Sequence, residues 1–264
     1  MIVKEPDIAA FVACNGVDRV FVDLESLGKQ ERQAHLDTWI SSHSPSDISL
    51  VRQAIGSAHL LVRLNPLNSR SAQEVEDAID RGADCLMLPM FRELSDVKTF
   101  CSLVAGRLPV VPLVETAEAL ELLPDVASCE GVAEVFIGLN DLRISLGLRF
   151  LFEPLVNGML DKAAAQLNDA GIPWGFGGLA RYGEGVLPAE LIIGEHVRLG
   201  SSGAILSRTF HRMAANLAEL REQMDFNAEI TKLRSAEKYF RGAGASILKA
   251  NHAEVGQIIS RVIG

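Results

Sequence analysis

The chain lacks any run approaching the ~20 consecutive apolar residues that a membrane helix needs. Its opening, Met1-Ile2-Val3-Lys4-Glu5-Pro6-Asp7, has none of the charged-then-apolar character of a signal peptide. Neither membrane insertion nor secretion is expected. A basic stripe is also missing: 25 Lys and Arg face 34 Asp and Glu, the formal charge is −9 and the pI is near 5.2. That balance opposes a phosphate-backbone partner, so no nucleic acid is expected. Cys14, Cys85, Cys101 and Cys129 show neither the close pairing of a zinc site nor the density of a disulfide scaffold. Reduced thiols in a cytoplasm fit best. No low-complexity stretch or Gly/Pro/Ser-rich linker divides the chain. Its 264 residues, 48% hydrophobic and 22% charged, therefore read as a single domain over 1–264 with a substantial core.

What is present is an alternation. Short β-rich runs follow one another at Arg19 to Glu25, His59 to Asn65, Cys85 to Met90, Pro109 to Glu115, Ala133 to Leu139 and Pro173 to Leu179. Shorter runs at His196 to Gly200 and Ala204 to Phe210 bring the count to eight, the number of a closed barrel. Helix patterns fill the gaps. A leading helix covers Asp7 to Cys14 and stops at Asn15-Gly16. Ser71 to Arg81, Ser95 to Ala105 and Pro154 to Ala170 each end at a glycine. Ser44, Pro45 and Asp47 form a capping-box-like start for a helix over Pro45 to Ile55. The fold class predicted is α/β, a (β/α)8 TIM barrel with additional C-terminal helices over 211–264. Apolar stripes there, Leu217, Leu220 and Met224, then Ile258, Ile259 and Val262, pack either on another subunit or within the chain.

Chemistry concentrates at the strand ends. Glu115 closes the fourth strand and Asp141 follows the fifth, which puts two hard oxygen ligands side by side at the C-terminal rim, a divalent-metal pattern. Asp141 could instead be only a helix cap; for Glu115 the better cap is its neighbour Thr116. Glu25 ends the first strand, and Arg63 and Asn65 the second. A guanidinium after a buried strand needs an anion, either Glu25 or a substrate. His43 is left over from the capping box, and a lone histidine before a helix is more often solvated than catalytic. No lysine falls on a predicted strand, so a Schiff-base mechanism lacks its nucleophile and a metal must serve as the electron sink. Gly175-Phe176-Gly177-Gly178 has no lysine in Walker spacing and reads as a place of close backbone approach.

Five segments in order, Val22-Asp23-Leu24-Glu25, Val62-Arg63-Leu64-Asn65, Gly82 to Met90, Leu113-Val114-Glu115-Thr116 and Phe136 to Leu142, resemble the HpcH/HpaI aldolase and citrate lyase beta-subunit family. The resemblance implies a barrel of the phosphoenolpyruvate/pyruvate type, a homo-oligomer (trimer or hexamer) with exchanged C-terminal helices, and a divalent metal, Mg²⁺ before Mn²⁺ or Co²⁺. It implies that Glu115 and Asp141 are the metal ligands, that Arg63 steadies an enolate oxygen, and that Glu25 hydrogen-bonds metal-bound water. Backbone N–H groups around Asn140 and Asp141 would receive the substrate carboxylate. His43, in a His-x-Pro-x-Asp setting, resembles the family's base, and Asp80 the aspartate that orients it.

The sequence departs from the family in places. Ser26, not a histidine, follows the first-strand glutamate, and Leu27 to Ser42 intervene before His43. Leu113 stands where a glutamine is common, and the citrate lyase branch's Arg-Ser and Glu-Asp-Ala signatures are absent. The expected function is cleavage of a 2-keto-4-hydroxy acid to pyruvate and an aldehyde. A lyase or thioesterase acting on an acyl-CoA, and an inactive barrel serving as a binding module, are the alternatives.

Overall fold

The computed structural model of the chain describes residues 1–28, 43–206, 210–211 and 214–264. Among the described residues seven strands lie in one parallel sheet in sequence order. They are β1 (Arg19–Asp23), β2 (His59–Arg63), β3 (Cys85–Leu88), β4 (Val110–Val114), β5 (Val135–Ile137), β6 (Trp174–Leu179) and β7 (Gly203–Leu206). Consecutive strands can run parallel and adjacent only if each is followed by a return segment. The helices supply it: α1 (Pro6–Cys14) leads, then α2 (Pro45–Ala54), α3 (Ser71–Asp80), α4 (Leu94–Val104), α5 (Ala117–Glu121), α6 (Leu123–Ala127), α7 (Leu139–Leu146), α8 (Met159–Asp169) and α9 (Ala189–Leu199). The result is the curled α/β sheet of the barrel class, with three further helices, α10 (Leu217–Gln223), α11 (Phe226–Arg241) and α12 (Ala245–Ile263).

Side chains alternate across each strand, and this divides the core in two. Val20, Val22, Leu60, Val62, Leu86 and Leu88 belong to the large cluster packed under the helices. Phe21, Leu61, Met87, Val111, Leu113 and Phe136 form a smaller, inner layer. At the outer edge of β1 the Phe21 N–H donates to the Met1 carbonyl and the Phe21 carbonyl accepts from Val3 N–H, so Met1–Val3 runs alongside β1.

Local chemistry explains the boundaries. The Ser44 N–H donates to Asp47 Oδ2 at 2.7 Å, which starts α2 as expected. Gly82 closes α3 at φ 94°, where any side chain would also meet Arg52 Cγ at 2.8 Å. Two expectations need correction. His196 to Gly200 is not a strand but the last turn of α9: Ala189, Ile192, Ile193, His196 and Leu199 are buried at helical spacing, and Gly200 at φ 77° ends the helix. Pro154 to Ala170 is a 3₁₀ turn at Glu153–Leu155 followed by α8, because Gly158 at φ 82° separates them. The expected strand Ala204 to Phe210 is described only as β7, since 207–209 lie outside the described residues. So does 29–42, most of the segment that precedes His43.

The C-terminal helices pack on the same chain. Leu220 and Ile259 are fully buried, so these two stripe positions need no second subunit, whereas Val262 is exposed. Glu195 of α9, fully buried, holds α12 through Asn251 Nδ2 at 3.2 Å and His252 Nδ1 at 3.0 Å. No helix among the described residues is long and apolar enough to cross a membrane.

Candidate active site

The register Asp23↔Arg63 sets the last residues of β1 and β2 side by side on the inner face. Arg63 Nε and Nη2 donate to Asp23 Oδ1 and Oδ2, both at 2.8 Å, a two-pronged match of guanidinium to carboxylate. Nη2 also lies 3.3 Å from Glu25 Oε2. Arg63 therefore meets Glu25 as the sequence anticipates, but its principal partner is Asp23, which sequence reasoning passed over. The signal was there: Asp23 and Glu25 are two apart and share a face in an extended run. Asp23 is fully buried and Glu25 nearly so. Burial works against the Arg63 charge, but Asp23 and Glu25 outweigh it and raise its pKa, so the guanidinium stays protonated at any working pH. Its Nη1 makes no hydrogen bond among the described residues.

Glu115 projects from the end of β4 into the same region and is 3% exposed. Its Oε1 accepts from the Met90 N–H at 3.0 Å. Its Oε2 lies so close to Gly138 that a Cβ there would stand 3.0 Å away. Met90 has φ 53°, a conformation an L-residue adopts only at a cost. Nothing in the sequence marks Met90 for this. Burial pushes the Glu115 carboxyl up to about 8; Arg63 opposes the rise, Glu25 and Asp141 add to it, and the Met90 N–H opposes it. Thr116 takes the capping duty, accepting from Ala119 N–H at 3.1 Å and donating to the Phe91 carbonyl at 3.0 Å. Glu115 is thus spared the capping duty.

Asp141 is not a cap either. The N-cap of α7 is Gly138, and Asp141 is an acid in the helix's first turn, half-buried and close enough to Glu115 to raise its pKa. Asn140 lies in the same turn, where backbone N–H groups have no partner within the helix. His43 does return to the rim: its Nδ1 accepts from the Asp23 N–H at 3.0 Å. In a neutral ring that bond places the hydrogen on Nε2. Asn65 ties down the segment after β1, accepting from the N–H groups of Ser26 at 2.9 Å and Leu27 at 3.0 Å and donating to Glu74 at 3.0 Å.

Asp80 does not join them. It is the exposed last residue of α3, and α3 descends from the C-terminal end of β2 to the N-terminal end of β3, so Asp80 sits at the far end of the sheet. The backbone of Asp23, not Asp80, orients His43.

Three acids, Asp23, Glu25 and Glu115, thus act on one guanidinium, and a fourth, Asp141, lies near Glu115. The surplus negative charge and the raised Glu115 pKa fit a hard divalent cation. Among the described residues no three His, Cys, Asp or Glu side chains enclose an ion by themselves. Two carboxylates completed by water or substrate are what Mg²⁺ commonly takes. No lysine lies on a described strand, so a Schiff base has no candidate there.

A family model described as HpcH/HpaI aldolase/citrate lyase matches residues 2–150, more than half of the chain. No curated protein gives a match. Among solved structures, the HpcH/HpaI aldolase from Desulfitobacterium hafniense DCB-2 is similar at 18% identity with a TM-score of 0.59, over 92% of this chain and 91% of that one. The citrate synthase SbnG is similar at 18% identity and TM-score 0.62, over 84% of this chain and 92% of that one. A citrate lyase beta subunit from M. tuberculosis, complexed with oxaloacetate and magnesium, is similar at 16% identity and TM-score 0.61, over 90% of this chain and 94% of that one. At these identities the likeness establishes the fold.

Proposed function

Because the chain belongs to the HpcH/HpaI aldolase/citrate lyase family, we propose that it is a divalent-metal-dependent carbon–carbon lyase that cleaves a 2-keto-4-hydroxy acid to pyruvate and an aldehyde. The observation that carries this reading is Glu115, a buried carboxylate near Arg63 and two further acids, with its pKa pushed up to about 8 by burial, against Arg63 and with Glu25 and Asp141 adding to the rise. Glu115 and Asp141 would hold the cation, Mg²⁺ first and Mn²⁺ or Co²⁺ as alternatives. When bound, such an ion supplies Lewis-acid polarisation of the substrate's keto group.

The chain's own residues account for the rest. The open Nη1 of Arg63, its guanidinium fixed by Asp23 and Glu25, faces the oxygen on which charge grows as the bond between C3 and C4 breaks. Backbone N–H groups around Asn140 and Asp141 receive the substrate carboxylate. His43 takes the 4-hydroxyl proton. To do so at Nε2 the ring must carry its own hydrogen on Nδ1, so the contact with the Asp23 N–H opens for that step. Glu25, salt-bridged to Arg63, would keep a hydrogen-bond acceptor at the site. Oxaloacetate in the M. tuberculosis neighbour is a keto acid, which supports this substrate class over a CoA thioester.

The test is chelation. Protein treated with EDTA loses pyruvate release from 2-keto-4-hydroxy acids and regains it with Mg²⁺, Mn²⁺ or Co²⁺. Undiminished release in chelator overturns the mechanism. Turnover of CoA thioesters alone overturns the substrate.

A further inference from the structure

The four cysteines are spread along the sequence, and the fold brings two of them together. Cys101 lies in the last turn of α4, and Cys129 follows α6 in the turn that leads to β5. Because α4 descends from the end of β3 to the start of β4, Cys101 reaches the strand-start end of the sheet, away from Glu115. The turn after α6 is fastened at the same end. There the Val110 N–H donates to the Gly131 carbonyl at 3.2 Å, and the Val110 carbonyl accepts from the Ala133 N–H at 3.0 Å. Within the turn, the Cys129 N–H donates to the Val126 carbonyl and the Cys129 carbonyl accepts from the Val132 N–H, both at 3.1 Å. The Cys101 side chain rests directly on this turn. A Cβ at Gly131 would stand 3.3 Å from both the Cβ and the Sγ of Cys101, and Gly131 has φ 92°, so the turn needs glycine there.

The two thiols meet. The Cys101 thiol is hydrogen-bonded to that of Cys129, and the Cys129 Sγ also lies 3.8 Å from the Glu130 carbonyl. All four cysteines are free; Cys101 and Cys129 are half-buried, whereas Cys85 is sealed in the inner layer. Packing against the main core asks only for small apolar side chains at 101 and 129. It does not ask for two sulfurs in contact. Burial first, and the neighbouring Cys129 second, push the Cys101 thiol up to about 12. Cys101 therefore keeps its proton at neutral pH, which leaves Cys129 as the thiol that attacks first.

We propose that Cys101 and Cys129 form an oxidation-sensitive dithiol, which a hydroperoxide converts to an intramolecular disulfide. The Cys129 sulfur attacks hydrogen peroxide: an S–O bond forms, the O–O bond breaks, and the released hydroxide takes the Cys129 proton as water. The Cys101 sulfur then attacks the sulfenic sulfur of Cys129. The S–S bond forms, the S–O bond breaks, and hydroxide leaves with the Cys101 proton as a second water. The dithiol is oxidised by two electrons and the peroxide is reduced to water. The new bond closes a ring that contains all of β4, the strand that leads to Glu115. A crosslink between residues already in contact restricts the unfolded chain more than the folded one, so it acts as a staple. The dithiol stands apart from the lyase centre and does not depend on that reading.

The test treats the full-length, reduced protein with hydrogen peroxide, then quenches, unfolds and alkylates it. Reduced protein takes four alkyl groups, one for each cysteine. Oxidised protein is expected to take two, and peptide mapping is expected to join Cys101 to Cys129. The oxidised form should melt roughly 4–8 °C higher, and dithiothreitol should reverse the shift. Cys101→Ser removes the second step, so Cys129 is expected to stop at the sulfenic acid and to be trapped there by dimedone. Cys129→Ser is expected to leave Cys101 unreactive to dimedone. Neither variant should melt higher after peroxide, and Cys101→Ala and Cys129→Ala take their place if a serine variant does not fold. Four alkyl groups after peroxide, a linkage through Cys14 or Cys85 in place of this one, or an oxidised parent that melts no higher overturns the proposal. Dimedone on Cys101 in Cys129→Ser overturns the order of the two steps.

Discussion

Replacing Arg63 by methionine tests the arrangement at its centre. The guanidinium makes two 2.8 Å hydrogen bonds to Asp23 and a 3.3 Å contact to Glu25. Asp23 is fully buried and Glu25 is 2% exposed, so neither carboxylate can turn to water when the arginine is gone. Breaking a buried pair from one side costs about 3–5 kcal/mol, mostly because of the charge left behind. For a chain of this length that is a fall in Tm of roughly 6–10 °C, at about 2 °C per kcal/mol. The double variant Arg63→Met/Asp23→Asn removes the stranded charge as well, so it is expected to be more stable than Arg63→Met alone by at least ~1 kcal/mol. Urea denaturation of all four members of the cycle, in chelator, reads this directly. Pyruvate release is lost in both Arg63 variants, so activity alone does not separate the two roles of the residue. A loss under about 1 kcal/mol for Arg63→Met, or strict additivity in the double variant, refutes the claim that Asp23 and Arg63 are a mutually dependent buried pair.

Further expectations follow from other residues. Glu115→Gln relieves repulsion with Glu25 and Asp141, so it should unfold no more easily than the parent. Its affinity for Mg²⁺ or Mn²⁺ should drop at least ~100-fold, since even the loss of an outer partner costs 10–100-fold; unchanged calorimetric affinity removes Glu115 from the ligand set. An unfolded histidine takes up a proton near 6.5, whereas buried His196 does so only near 3. The unfolded state is therefore protonated first as pH falls, and His196 lowers stability by up to ~1.4 kcal/mol per pH unit on descending from 6.5 toward 3. His196→Phe should flatten the profile of urea midpoints between pH 7 and 5, and an unaltered slope contradicts the burial argument. Exposed Ala105 ends α4 at φ 54°, so Ala105→Gly should raise stability by about 1 kcal/mol in the same denaturation assay; a loss would show that the left-handed turn carries no strain.

Much of the site was legible because it depends on position along strands. An apolar run that ends in a charged residue places that residue at the rim wherever the sheet is parallel, and Glu115, Arg63 and Glu25 all obey this. Thr116 as the cap, with Glu115 left over, also follows from local hydrogen-bond chemistry. The readings that failed were those in which a short run was taken out of its longer pattern. His196 to Gly200 looked extended over five residues, but the buried positions back to Ala189 repeat at helical spacing. Asp80 was placed by motif alone, and the direction of α3 carries it to the other end of the sheet.

The sequence by itself determined the alternation of strand and helix, the parallel order of the sheet, and which rim residues carry charge. These follow from hydrophobic period, glycine stops and caps, all local properties. Only the tertiary structure decided that Asp23 takes most of Arg63, that the Met90 N–H reaches Glu115, and that His43 returns to β1 from across 29–42. Each of these is a distance between residues far apart in the chain. Such distances depend on strand register and on how much room neighbouring side chains leave, and neither is written in any single segment.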